Sequence, residues 1–119
     1  MPRVANFIQL RDESFTLVVG GDIDRALTRD IVDAPAAGEG AVLTWNVQRE
    51  GTGNVTYEVT MNGTVLNTYT VTLGERRAVQ EAMDTTTIQQ GNNTVVFRVL
   101  GGTGTLEIGD VILFYRQDV

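Results

Sequence analysis

Cysteine, histidine and lysine are all absent from this 119-residue chain, and Ser14 is its single serine. Without histidine or cysteine, no Ser-His or Cys-His nucleophilic pair can be assembled. Zinc, copper and haem sites lose their usual ligands for the same reason. The missing cysteine also rules out a disulfide framework. All nine basic residues are arginine, so Schiff-base and general-base lysines are excluded. Positive charge is scarce overall. A net charge of −6 speaks against a nucleic-acid partner, because phosphate binding needs clustered cations. The one basic doublet, Arg76-Arg77, has Glu75 and Glu81 beside it. No apolar run approaches the roughly 20 residues of a membrane helix, so no membrane partner is expected. The first residues, MPRVANFIQLRDE, show neither an apolar h-region nor a small-residue cleavage site. No secretory signal is therefore expected, and a virion or the cytoplasm is the expected location.

What is present is strand pattern. Hydrophobic residues make up 42% and charged residues 20%, the balance of one folded domain over 1–119. In AVLTWNVQ (41–48), Ala41, Leu43, Trp45 and Val47 alternate with polar neighbours. In NVTYEVTM (54–61), Val55, Tyr57, Val59 and Met61 do the same. Such period-two alternation marks half-buried antiparallel strands. Asn62-Gly63 then signals a tight hairpin, since a type I′ turn needs positive φ at both central residues. The returning strand places Val65, Tyr69, Val71 and Leu73 inward. Residues 41–73 thus read as a three-stranded meander. ERRAVQEAM (75–83) suits a short helix or a strand; we favour a strand, followed by a turn or short helix at DTTTIQQG. NNTVVFRVL (92–100) buries Val95, Phe97 and Val99, and Gly101-Gly102-Thr103-Gly104 turns the chain so that the last strand runs back beside it. These glycines lie between strands, so they serve a turn and not a phosphate.

Towards the N-terminus, NFIQL and SFTLVV read as short strands around RDE, and Ile31 and Val32 anchor another. Residues 1–33 are expected to form either an N-terminal arm or a crossover over the sandwich. About eight short strands without a covering helix imply an all-β, antiparallel β-sandwich, most simply a jelly roll.

Only carboxylate chemistry and oxygen-ligated metal survive the exclusions. Glu58 and Glu107 lie on the polar phase of their strands, where a glycosidase pair would have to face each other across a cleft. Outward surface residues are the simpler reading of both. Calcium takes six to eight oxygens, many supplied by loops. Asp22 and Asp24 in GGDIDR, with Asp110, are the candidate ligands; Asp12 and Glu13 are further loop carboxylates. Hydrogen bonds from turn amides would account for these aspartates equally well. Trp45, Tyr57, Tyr69 and Phe97 read as core, which leaves Phe7, Phe15, Phe114 and Tyr115 as the uncommitted aromatics. Sequons at Asn54, Asn62 and Asn92 matter only in a secretory pathway and arise readily by chance in a threonine-rich chain.

GNNTVVFRVLGGTGTLEIGDVILFYR, through Gly91, Asn93, Val95, Phe97, Leu106, Ile108, Asp110, Val111 and Leu113, resembles the closing strands of galactose-binding-like and carbohydrate-binding-module jelly rolls. The resemblance spans about 41–116 and implies a glycan ligand, with a structural calcium at Asp110. In size, class and absent chemistry the chain also resembles small bacteriophage capsid decoration proteins. Two binding readings follow. The first is a non-enzymatic virion decoration or assembly subunit, attached to protein subunits of a capsid or tail surface or to copies of itself. The alternative is a lectin-like carbohydrate-binding module, with calcium as its one expected metal and no other cofactor.

The closing strand carries the sharpest expectation. Leu106 and Ile108 share one phase, whereas Val111, Leu113 and Tyr115 share the other. A β-bulge at Gly109-Asp110 reconciles them by inserting one residue. Ile112 and Phe114 then face outward and, with Phe7 and Phe15, mark a docking patch for an arm or a partner.

Overall fold

The computed structural model describes residues 3–72 and 74–118; Leu73, expected to face inward, lies outside the described residues. Among these, nine strands and one 3-10 turn, Thr85–Thr87, make up the ordered elements. The strands are β1 (Arg3–Arg11), β2 (Phe15–Val18), β3 (Asp24–Ile31), β4 (Gly40–Glu50) and β5 (Val55–Met61). They continue as β6 (Thr64–Val71), β7 (Arg77–Asp84), β8 (Gly91–Gly102) and β9 (Thr105–Asp118). They form an antiparallel jelly-roll β-sandwich. One sheet has the order β1-β9-β4-β7, with β2 continuing the β1 edge along β9, and the other has the order β3-β8-β5-β6.

Alternation explains the core. Ala41, Leu43, Trp45 and Val47 from one sheet face Val55, Tyr57, Val59 and Met61 from the other, and all are buried. Trp45 Nε1 donates to Tyr57 Oη at 3.0 Å across the gap, and the Trp45 ring meets Phe97 edge-on at 5.4 Å. This contact corrects the expected meander. β5 and β6 pair as a hairpin, but β4 pairs with β7 and β9. β4 and β5 therefore face each other across the core instead of lying edge to edge. The final pair is corrected in the same way: β8 belongs to the four-stranded sheet and β9 to the five-stranded one. An apolar phase records that a strand buries one face, and opposite sheets produce the same record.

The Asn62-Gly63 turn is as expected, with φ of 50° and 85° at its two central residues. Val65 is not inward. A bulge places Val59 opposite Asn67 and Thr60 opposite Val65, so Leu66 packs on the core while Val65 is 55% exposed. Residues 75–83 include the strand β7, with Val79 and Met83 facing inward opposite Trp45 and Ala41. The stretch expected to be an arm or a crossover is built into both sheets. β1 and β2 pair with β9, and β3 pairs with β8 after the chain changes sheets.

Two polar devices hold the turns. Gly102, at φ 117°, lets the backbone pass so close to Asn54 that a Cβ would sit 2.0 Å from its carbonyl oxygen; only glycine fits there. Asn93 is fully buried, and its Nδ2 donates to the carbonyls of Gln89 and Gly91 at 2.7 and 3.0 Å. Its Oδ1 accepts from Gln89 N and Asn62 Nδ2, both at 2.9 Å. Asn62 also donates to Thr87 O and accepts from Thr94 N, so that sequon amide is spent on structure.

Candidate functional site

The register of the five-stranded sheet sets out its outer face row by row. Phe7, Phe114, Val42 and Ala82 lie across one row. Gln9, Ile112, Thr44 and Gln80 form the next, and Asn46 beside Ala78 follows. Side chains on β1 and β9 are large, whereas those of Ala78 and Ala82 on β7 are small. The result is a shallow trough lined by Thr44, Asn46, Gln80, Asp110, Ile112 and Phe114. Phe7 and Phe114 rise beside it, 60% and 42% exposed, with ring centroids 6.0 Å apart.

The bulge expected in the closing strand shapes this trough. Thr44 pairs with Ile112 and Asn46 with Gly109, so Trp45 alone stands opposite Asp110 and Val111. Leu106 and Ile108 before the bulge are buried, as are Val111, Leu113 and Tyr115 after it. Asp110 adopts φ 52°, which presents its carboxylate outward. Its Oδ2 accepts a hydrogen bond from Asn46 Nδ2 at 2.8 Å. Gln48 follows Asn46 outward on β4, opposite Glu107. There Arg76 donates to Glu107 at 2.6 Å and holds that carboxyl below its usual range, with the Ser14 hydroxyl assisting.

Ile112, Phe114 and Phe7 therefore share one surface. Phe15 does not: it is 6% exposed, packs against Phe97 at 5.9 Å, and has Arg11 and Arg25 over its ring. It belongs to the core because β2 continues the β1 edge in the inward phase. The calcium candidates are also dispersed. Asp22 lies in the β2–β3 loop, where its carbonyl accepts from Val18 N. Asp24 pairs with Arg98 in the four-stranded sheet, and Asp110 stands on the opposite outer face. Among the described residues, no group of three acidic side chains could hold a metal ion. Glu58 lies opposite Thr68 and Arg98 on the four-stranded sheet, so Glu58 and Glu107 point away from each other and cannot flank one glycosidic bond. Asn46, Gln80 and Thr44 were not singled out from sequence, since outward polar residues are the default on a strand. Only the bulge, by aiming Asp110 at Asn46, could have drawn attention to them.

Neither a protein-family model nor a curated protein matches the chain. Solved structures do. The CBM36-1 domain of a multidomain xylanase from the hindgut metagenome of Trinervitermes trinervoides aligns with a TM-score of 0.56 at 11% identity, covering 93% of this chain and 96% of its own. The carbohydrate-binding module CBM36 in complex with calcium and xylotriose gives the same TM-score at 11% identity, covering 96% and 99%. The fold is that of carbohydrate-binding-module jelly rolls. Latent PorU from Porphyromonas gingivalis aligns at TM-score 0.71 and 10% identity over 99% of this chain, which spans 13% of that protein's length. At these identities the likeness concerns architecture, and function has to be argued from the site.

Proposed function

We propose that this chain is a non-enzymatic binding module that lays a polysaccharide strand along the outer face of its five-stranded sheet. The observation that carries this reading is the trough beside Phe114, where an aromatic face adjoins Thr44, Asn46, Gln80 and Asp110. Sugar rings present apolar C–H faces to aromatic side chains and hydroxyls to amides and carboxylates. The trough supplies both within one surface. Along β4 the outer face from Gly40 to Asn46 extends about 20 Å at roughly 3.4 Å per residue, enough for several rings in a row. The jelly-roll neighbours, one of them in complex with xylotriose, agree with this use of the fold. The trough's polar atoms bind sugar directly, without a metal.

The test is a glycan array followed by titration of any hit, with amide shifts followed by NMR. A supporting result is saturable binding that moves Thr44, Asn46 and Ile112 and persists in EDTA. Loss of binding in EDTA would transfer the site to calcium, and silence across the array would remove the reading.

A second reading is favoured by one specific observation. Phe7 and Phe114 form a contiguous exposed apolar pair next to the edge strand β1, and exposed apolar surface beside a free edge suits protein docking. On this reading the chain is a virion decoration or assembly subunit, and Phe7, Phe114 and Ile112 meet a neighbouring subunit. Co-sedimentation with particles, lost in Phe7→Ser, supports it; a protein that stays monomeric and never associates with particles sinks it.

A further inference from the structure

The two sheets leave a gap where edge strand β6 of one lies over edge strand β7 of the other. This cleft of about 120 Å³ is lined by Val47, Val71 and Val79, by Tyr57 and Tyr69, and by Arg77. Three features set it apart from an ordinary packing gap. First, its walls are held. The Tyr69 hydroxyl on β6 donates to Glu81 Oε1 on β7, and Asn67 Nδ2 donates to the same oxygen at 3.0 Å. Second, Tyr57 is fully buried, and its oxygen accepts from Trp45 Nε1. No described residue accepts the proton of that hydroxyl. Burial pushes the Tyr57 pKa up to about 12, so the floor of the cleft carries no charge. Third, Arg77 shares the inward phase of Val79 and Met83 and is in no ion pair among the described residues.

We infer that this cleft is a binding site for a small carboxylate with an apolar body. The body occupies the space between Val47, Val71 and Val79, and the ligand's carboxylate pairs with the Arg77 guanidinium at the mouth of the cleft. Closed cavities of roughly 150 Å³ lined by apolar side chains accept benzene; this cleft is smaller but open to solvent, so it suits a short branched chain or a ring whose polar end stays outside. The guanidinium fixes the sign of the ligand's charge, because it pairs with carboxylates through charge-assisted bonds. Glu81 does not oppose this, since it lies four residues along β7 from Arg77, about 13 Å away at roughly 3.3 Å per residue. The site lies between the sheet edges, on the other face of β7 from the outer-face trough, and does not rest on the polysaccharide reading.

Benzoate and its neutral analogue benzyl alcohol are the probes, titrated into the intact chain with amide shifts read by NMR. Benzoate is expected to give saturable shifts at Val47, Val71 and Val79, and to bind about tenfold more tightly than benzyl alcohol, the factor expected of one charge-assisted contact. Arg77→Gln, an exposed change that leaves the core intact, should erase the difference between the two probes. Val79→Phe should fill the cleft and abolish both titrations. The proposal is overturned if millimolar benzoate gives no saturable shift, as a cleft holding water alone would behave. It is equally overturned if Arg77→Gln binds benzoate as the parent does.

Discussion

Tyr57 and Asn93 show two outcomes of placing a polar side chain in a dry interior. Asn93 has every donor and acceptor of its amide engaged, so it organises the turn before β8 without an orphaned group. Tyr57 has its oxygen engaged through Trp45 and its ionisation suppressed by burial, with a pKa of about 12 against an ordinary 10.0. Tyr69 is shifted in the same direction, by burial first and then by its bond to Glu81. The consequence for stability has a definite sign. Between pH 10 and 12 the unfolded chain loses the Tyr57 proton while the folded chain keeps it. The Tyr57 contribution to folding stability is therefore flat below about pH 10 and falls as pH rises towards 12, by about 1.4 kcal/mol per pH unit. Urea denaturation across this range should show the fall, and Tyr57→Phe should make it shallower by that amount. An unchanged slope in the variant would show that the buried hydroxyl does not control alkaline stability.

At the scale of the element, the bulge in β9 determines which side chains reach the core. Removing Asp110 would take out the extra residue, so the ladder would become continuous and Val111, Leu113 and Tyr115 would keep their inward phase; a strand of the present length without the bulge would turn all three outward. Each large apolar side chain contributes roughly 1.5–3 kcal/mol when buried, and a domain has only about 5–15 kcal/mol in total. Because deletion of Asp110 keeps all three inside, cooperative melting by circular dichroism should survive it. Asp110→Gly keeps the extra residue, relieves the positive φ and gives up only the exposed bond to Asn46. It should stay within about 1 kcal/mol of the parent. A deletion that abolishes cooperative melting would refute the bulge as the register device. This feature was legible in the sequence because a phase change inside one strand has few other causes. The β6 bulge was not, because Val65 and Leu66 are both apolar and either could face the core. Sheet membership was illegible for a related reason: β4 and β5 alternate identically whether they pair side by side or face each other. Of the candidate surface, Ile112 and Phe114 follow from phase, whereas Phe7, like Phe15, is in the sequence only an uncommitted aromatic. Phe15 could not be assigned, because only the β2–β9 pairing turns it inward.

For the whole molecule, the question is which of two large faces meets a ligand, since an elongated body of 51 × 23 × 22 Å presents both. The outer face of the four-stranded sheet carries threonines that satisfy one another, Thr28 with Thr94 and Thr56 with Thr70. Its central row runs Asp24, Arg98, Glu58 and Thr68, with charges of alternating sign. The five-stranded face instead combines an exposed aromatic pair with a trough whose polar groups are mostly uncharged. Ligand binding through stacking and neutral hydrogen bonds requires the second arrangement and gains nothing from the first. Phe114→Ala should therefore weaken polysaccharide binding roughly tenfold, the loss of about 1.4 kcal/mol of aromatic contact. Because Phe114 is partly exposed, melting should shift by no more than about 0.5 kcal/mol in stability. Arg98→Ala on the opposite face should leave affinity unchanged. If instead Arg98→Ala weakens binding and Phe114→Ala does not, the ligand lies on the four-stranded sheet, and the bulge at Asp110 serves register alone.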